Sequence, residues 1–160
     1  MTYQLAQLNI ARFKKPAEHP DNADFVNNLE RVNAIAEAQP GFIWRLVGEQ
    51  DNAMDVRAYD DPNVIVNLSV WEDMDSLAAF VYRNKEHRSI MRRREEWFEK
   101  MEFYLVLWWV KAGHQPSEHE AKERLALLQE RGPGTDAFTF RYPFPAPGES
   151  DIDPVMDRCA

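Results

Sequence analysis

The chain has 160 residues, of which 44% are hydrophobic and 12% aromatic, so we expect one domain with a sizeable buried core. Its formal net charge of -8 argues against a nucleic-acid partner, because the one basic cluster, residues 92–94, is followed at once by two glutamates. No apolar run approaches the roughly 20 residues of a membrane span, so no membrane partner is expected either.

The first quarter of the sequence predicts a strand, a helix and a second strand. Apolar residues alternate loosely from Tyr3 to Ala11, and Asp21 or Asn22 can cap a helix that runs to about Ala38. Pro40-Gly41 ends this helix before a second strand over 42–47. The inward stripe of the helix has a spacing of three and four, and its members are Phe25, Leu29, Val32 and Ala36.

The middle of the sequence repeats the same order of elements. A polar excursion over 51–63 leads to a third strand, Val64 to Trp71. A single long helix then begins at Asp75 or Ser76, and 103–110 forms a fourth strand that is apolar on both faces and is therefore expected to be central. The inward stripe of the long helix is predicted to contain Leu77, Phe80, Val81, Asn84, His87, Met91 and Phe98.

Two strand–helix–strand units in series predict an α+β, ferredoxin-like βαββαβ sandwich over residues 1–112. A helix-strand extension follows over 113–142, with a capping box at Ser117 and Glu120 and an edge strand on which Phe138, Phe140 and Tyr142 alternate. Residues 143–160 are rich in prolines and acids and are expected to form a polar tail that is either flexible or lies along the surface. One face of the fourth strand would need cover that a single chain does not supply, so a homodimer is predicted.

Five short strings carry a resemblance that extends to about Pro147. The sequence resembles a bacterial domain-of-unknown-function family grouped with the dimeric α/β-barrel proteins, which include antibiotic-biosynthesis monooxygenases. The resemblance implies a ferredoxin-like subunit whose sheet packs on a partner's sheet to close a dimeric α/β barrel. It supplies no catalytic residues. The strings are Gly41-Phe42-Ile43-Trp44-Arg45, Ser69-Val70-Trp71-Glu72, Trp97-Phe98, Leu107-Trp108-Trp109-Val110 with Gly113-His114, and Ala137-Phe138-Thr139-Phe140.

His87 is the candidate catalytic residue. It lies on the stripe that should face the sheet, and an imidazole there titrates near neutral pH, so it suits a general base or a ligand anchor. The alternative is a structural histidine bonded to a backbone carbonyl or to Asn67 or Ser69, since buried polar groups are normally paired.

The candidate ligand-binding residues are polar or aromatic side chains on the strands. Asn67 and Ser69 interrupt an apolar strand on the same face as Ile65 and Trp71, where they either orient a ligand oxygen or line a wet dimer interface. Trp44, Trp71 and Trp108 offer flat walls for an aromatic substrate, or they belong to the core. Arg45 pairs with an acidic ligand, or with Glu72 or another surface acid.

No motif for a metal or a cofactor is present. His114 and His119 are spaced by five, which no helical face brings together, so no metal site is expected, and a lone helical histidine such as His87 is not a haem motif. There is no glycine-rich phosphate loop and no nucleophile elbow, so no cofactor is predicted. The single Cys159 cannot form an internal disulfide, and the N-terminus carries no signal-peptide pattern; both favour a cytoplasmic protein.

Two functions remain open from the sequence. The first is a small-molecule-transforming enzyme, a cofactor-independent monooxygenase-like oxidoreductase acting on an apolar or aromatic metabolite in a pocket between the sheet and the His87 helix. The second is a non-catalytic ligand-binding or stress-associated homodimer in which His87 is structural. A cavity that reaches His87 would favour the first, and a closed core around it the second.

Overall fold

A computed structural model describes residues 2–47, 61–100 and 104–148. In these residues the chain forms a four-stranded antiparallel sheet with the strand order β2-β3-β1-β4. This order confirms the predicted ferredoxin-like βαββαβ topology. The strands are β1 (Tyr3–Arg12), β2 (Phe42–Arg45), β3 (Val64–Trp71) and β4 (Leu105–Lys111).

The position predicted for the fourth strand is wrong, because β4 lies at an edge of the sheet and β1 and β3 are central. The outer edge of β4 is covered by the chain itself. Phe138 and Leu107 exchange two backbone hydrogen bonds, of 2.8 and 2.9 Å, in an isolated antiparallel bridge. A strand that is apolar on both faces is therefore compatible with an edge when other segments cover both faces and the edge.

One face of the sheet packs on α1 (Ala23–Ala38), α2 (Met74–Ala78), a π-helical turn (Ala79–Arg83), α3 (Lys85–Arg92) and α4 (Arg94–Trp97). The prediction of one long helix after β3 is wrong. The chain is extended at Asn84, whose side chain accepts a 3.0 Å hydrogen bond from the backbone N–H of His87 and so begins a new helix. After this break Met91 turns to the surface, with 37% of its area exposed.

The opposite face of the sheet packs on α5 (Glu118–Arg131), which follows β4. Leu125 and Leu128 of α5 belong to the same buried cluster as Val66 and Leu68 of β3, each of which is at most 2% exposed. The expectation that a single chain leaves this face uncovered is therefore wrong. The homodimer stays a prediction, without that argument for it.

The C-terminal part of the described chain is less regular than predicted, and its last described residues lie along the protein, which is one of the two expected alternatives. The expected strand around Phe138 is reduced to the bridge with β4, and the start of the expected tail packs on the sheet. Trp109 Nε1 donates a 2.8 Å hydrogen bond to the carbonyl of Phe144, and Ala146 is buried. Residues 149–160 with Cys159, residues 48–60 of the polar excursion, and Phe103 at the predicted start of β4 lie outside the described residues.

Across the described ranges, no helix combines the length and the apolar composition that crossing a bilayer requires.

Candidate active site between the sheet and the helix layer

The sheet separates the predicted ligand-binding residues into two groups. Asn67, Ser69 and Trp71 alternate onto the face that packs on α1 to α4, as their shared parity in β3 predicts. Trp44 and Trp108 lie on the other face, in the cluster with α5. These five side chains therefore do not meet in one place, and the ligand-binding role of each stays a prediction.

Trp108 is a structural residue of the α5 face. Its ring is fully buried, and its Nε1 donates a 2.9 Å hydrogen bond to Glu120 Oε2. Glu120 Oε1 lies 2.7 Å from His114 Nε2, and Ser117 Oγ caps α5 by accepting from the backbone N–H of Glu120. The predicted helix cap is confirmed, and the carboxylate of Glu120 fastens α5 to the sheet.

The face toward α1 to α4 carries a band of hydrogen-bonded polar side chains, which we call the polar band: Gln7, Asn9, Asn67 and Ser69. Gln7 Nε2 donates to Asn67 Oδ1 at 2.6 Å and to Ser69 Oγ at 2.7 Å. Asn9 Nδ2 donates to Gln7 Oε1 at 3.3 Å, and Trp71 Nε1 donates to Ser69 Oγ at 2.9 Å. Gln7 and Ser69 are 3% and 5% exposed, so these bonds replace water that neither side chain reaches.

The strand register explains why these residues meet. Gln7 pairs with Ser69 and Asn9 with Asn67 across β1 and β3, and Arg45 of β2 pairs with Ser69 from the other side. Arg45 is directed to the same face as Ser69, where its Nε lies 2.6 Å from Oε1 of Glu37 on α1. The surface acid expected to pair with Arg45 is thus Glu37.

The polar band separates two apolar clusters of the helix layer. Leu5, Trp71 and Phe80 belong to the first cluster, and Phe13 and Trp97 belong to the second. Helix α1 contributes Ala36 to the first and Phe25 to the edge of the second. Gln7 and Ser69 are therefore buried between the two clusters, and Asn9 and Asn67 are half-buried beside them.

Two aromatic rings, those of Phe80 and Trp71, lie between His87 and the polar band. Its ring centroid lies 4.6 Å from that of Phe80, which stacks on Trp71 at 5.5 Å, and Trp71 in turn donates to Ser69. His87 Nδ1 lies 3.1 Å from the carbonyl oxygen of Val81, an arrangement in which Nδ1 carries the proton and donates.

The environment of His87 favours its neutral form. Burial lowers the pKa of His87, and the hydrogen bond to the Val81 carbonyl opposes this only in part. With the proton on Nδ1, the lone pair of Nε2 is available as an acceptor. Within the described part of the chain Nε2 forms no hydrogen bond.

Sequence reasoning missed three polar residues of this region, Gln7, Asn9 and Asn33. Asn33 lies on α1 and is 8% exposed, and its buried Nδ2 has no hydrogen-bond partner among the described residues. The signal for Gln7 was its position in β1 between apolar residues. Asn33 follows Leu29 by four residues and precedes Ala36 by three, which is the spacing of the predicted inward stripe.

Two surface clefts lie away from the polar band. The first, of about 520 Å³, is lined by charged residues around Arg93, and the second, of about 400 Å³, lies beside Trp109 and Phe144. His87 lines neither. No group of three potential metal ligands occurs in residues 2–47, 61–100 and 104–148, where His114 and His119 are engaged by Glu120 and Glu123 on α5.

A protein-family model described as "Domain of unknown function (DUF3291)" matches residues 4–154. No curated protein sequence matches the chain. Among solved structures, the protein PA3566 from Pseudomonas aeruginosa is similar at 11% identity with a TM-score of 0.50, over 71% of this chain and 98% of the other. This similarity supports the fold alone.

Two further solved structures are similar at lower TM-scores. A conserved protein from Methanosarcina mazei Go1 has 15% identity and a TM-score of 0.49, over 69% of this chain and 93% of the other. SnoaB, a cofactor-independent oxygenase from Streptomyces nogalater, has 18% identity and a TM-score of 0.45, over 70% of this chain and 95% of the other.

Proposed function

The chain belongs to the DUF3291 family, whose model spans residues 4–154, and from its buried site we propose that it is an enzyme that transforms a small apolar or aromatic molecule bound against the polar band. The observation that carries the proposal is the position of that band. Polar side chains interrupt an apolar core, and a histidine in its neutral form lies two aromatic rings away with an Nε2 that can accept a proton. A few convergent polar groups and a histidine with a perturbed pKa are typical of small-molecule sites.

Each residue has a role that its surroundings support. Trp71 and Phe80 are aromatic walls that pack on a flat substrate, and Ser69 and Asn67 bind a substrate oxygen. His87 Nε2 is the general base, because burial holds the imidazole in the neutral form that accepts a proton. The side chains of Trp44 and Trp108, on the far face of the sheet, take no part.

The reaction we propose is a monooxygenation that needs no cofactor, in keeping with the resemblance of the sequence to a family that is grouped with the antibiotic-biosynthesis monooxygenases. His87 removes a proton from an acidic CH₂ group beside an aromatic system, and the resulting carbanion reduces O₂. One oxygen atom enters the substrate as a ketone and the other leaves as water, so that R₂CH₂ and O₂ give R₂C=O and H₂O. The single cysteine is compatible with a reducing, cytoplasmic location for this chemistry.

An oxygen electrode tests the proposal with anthrone, an aromatic ketone that has an acidic CH₂ group. We expect protein-dependent oxygen uptake that is lost in His87→Ala while the circular dichroism spectrum is unchanged. His119→Ala is the matched control, since His119 is exposed on α5 and, among the described residues, is bonded only to Glu123. Uptake that survives in His87→Ala would refute the role of His87 as base.

A second candidate is a non-catalytic ligand-binding or stress-associated homodimer. The observation in its favour is that the polar band is internally bonded and that His87 Nδ1 is held by a backbone carbonyl, as in a structural histidine. Native mass spectrometry of protein purified from its own host separates the two. A dimer with a bound aromatic mass and no oxygen uptake supports the second candidate, and a monomer contradicts the homodimer.

A further inference from the structure

The amide of Asn33 is an unpaired buried donor in the middle of the helix layer. The residue is 8% exposed, and its Nδ2 is the one buried side-chain nitrogen or oxygen of the described residues that has no hydrogen-bond partner. A buried donor without an acceptor lowers the stability of the folded protein, so native proteins rarely retain one without a reason.

The position of Asn33 along α1 places it opposite the polar band. It lies three residues before Ala36, on the same face of the helix, and Ala36 packs in the cluster of Leu5. Three helical residues advance about 4.5 Å, and two strand residues advance about 6.6 Å. Because α1 brings Phe25 to the cluster of Phe13 and Ala36 to the cluster of Leu5, it runs antiparallel to β1, and Asn33 lies on the side of Ala36 toward Gln7, the partner of Ser69 in the sheet.

The hydrogen bonds of the polar band leave donors unused at this level. Both N–H groups of Gln7 are engaged, by Asn67 Oδ1 and Ser69 Oγ. Ser69 Oγ accepts from Gln7 and from Trp71, which fills its two lone pairs and leaves its own hydrogen to donate. The hydroxyl of Ser69 and the amide of Asn33 thus present two donors.

The charged groups near Asn33 and Ser69 determine whether a ligand would offer them a charged or a neutral acceptor. His87 is held in its neutral form, and Arg45 is bonded to the carboxylate of Glu37. A carboxylate ligand would therefore be buried without a matching positive charge, whereas a neutral carbonyl oxygen accepts two hydrogen bonds at little electrostatic cost.

We propose that Asn33 is a ligand-binding residue that donates from Nδ2 to a carbonyl oxygen of the bound molecule, with the hydroxyl of Ser69 as the second donor. The inference rests on the proposed function, and it adds that the substrate of that site is a neutral compound with a carbonyl group. An ammonium group, which has only donors to offer, is excluded from this position.

Two probes that differ in one carbonyl group test the inference. 1-Tetralone carries the acceptor oxygen and tetralin lacks it, and isothermal titration calorimetry gives the affinity of each. We expect the protein to bind 1-tetralone at least 10-fold more tightly than tetralin. In Asn33→Leu this ratio should fall to about 1 while the affinity for tetralin is kept, because only the amide donor is lost. Asn27→Leu, on the exposed side of the same helix, should keep the ratio.

Two further measurements separate a ligand-binding amide from a structural one. The urea midpoint of Asn33→Leu should equal or exceed that of the original chain, because a donor without a partner is removed. The side-chain NH₂ signal of Asn33 in a ¹⁵N spectrum should shift with 1-tetralone and not with tetralin, a result that needs no variant. A lower urea midpoint, an NH₂ signal unmoved by 1-tetralone, or equal affinity for the two probes overturns the inference.

The inference and the proposed function fail in different ways. Oxygen uptake that depends on His87, together with an unchanged affinity ratio in Asn33→Leu, contradicts the role of Asn33 alone. An affinity ratio that depends on Asn33, without any oxygen uptake, contradicts the enzyme and leaves a carbonyl-binding site.

Discussion

Replacing Ser69 with alanine tests whether the polar band is closed to water. The substitution removes the oxygen that accepts from Gln7 Nε2 at 2.7 Å and from Trp71 Nε1 at 2.9 Å, and Ser69 itself is 5% exposed. Each buried donor left without an acceptor costs about 1–3 kcal/mol, so Ser69→Ala should lower the free energy of unfolding by about 2–6 kcal/mol. This is a large part of the about 5–15 kcal/mol that stabilises a typical domain.

Urea denaturation followed by circular dichroism measures this change, and Ser89→Ala is the matched control. Ser89 is exposed on α3, so its replacement should change the free energy of unfolding by no more than about 0.5 kcal/mol. A loss below about 1 kcal/mol in Ser69→Ala, with an unchanged denaturant slope, would refute the reasoning. It would mean that Gln7 and Trp71 reach other acceptors, and hence that the band is hydrated.

Three further predictions follow from local contacts. Gly41 and Gly113 have nearly the same φ, 87° and 91°, but only at Gly41 would the Cβ of an alanine overlap Ser76. Thermal denaturation should therefore show that Gly41→Ala loses about 1–3 kcal/mol more stability than Gly113→Ala. Because burial lowers the pKa of His87, the folded state should lose stability as pH falls below the ordinary value of 6.5, and urea titrations should show a smaller loss in His87→Gln. Trp109→Phe removes the indole donor that holds the C-terminal segment, so hydrogen exchange should become faster there.

Each of these three predictions has a contradicting outcome. Equal destabilisation of the two glycine variants would show that helix α2 yields to a side chain at Gly41. An acid loss of stability as steep in His87→Gln as in the original chain would place the responsible group elsewhere. Protection of the C-terminal segment that is unchanged in Trp109→Phe would mean that its apolar contacts alone hold it.

Local patterns predicted most of the fold. The strands, α1 and the cap of α5 follow from alternation, helical spacing and the Pro40-Gly41 and Ser117 signals, all of which act within a few residues. The break at Asn84 was missed because an amphipathic pattern does not distinguish an asparagine inside a continuous helix from an asparagine that caps a new helix. The edge position of β4 and its cover by the chain's own segments depend on contacts between distant residues, which no local pattern encodes.

The candidate site was predictable on one strand only. Asn67 and Ser69 stood out because they interrupt an apolar run, whereas Gln7 alternates with apolar neighbours in β1 and resembles a residue of a solvent-facing strand. Only the register that pairs Gln7 with Ser69 shows that it is buried. The split of Trp44 from Trp71 also depends on pairing, since β2 shifts its register between Phe42 and Trp44.

The two faces of the sheet use polar groups in opposite ways, and this contrast is the strongest reason to assign chemistry to one of them. On the α5 face the indole donor of Trp108 is satisfied by Glu120, and the buried residues around it are apolar. On the other face the polar band divides the core into two clusters, and burial of polar groups costs more than an apolar filling of the same space. A network of hydrogen bonds that served stability alone would leave no buried donor unpaired, because an unpaired donor offsets the stabilisation that the other hydrogen bonds provide. Asn33 is a buried donor of that face that forms no hydrogen bond with the described residues, and it lies outside the network itself. A bound molecule that accepts from it would account for this unpaired group, which packing alone does not.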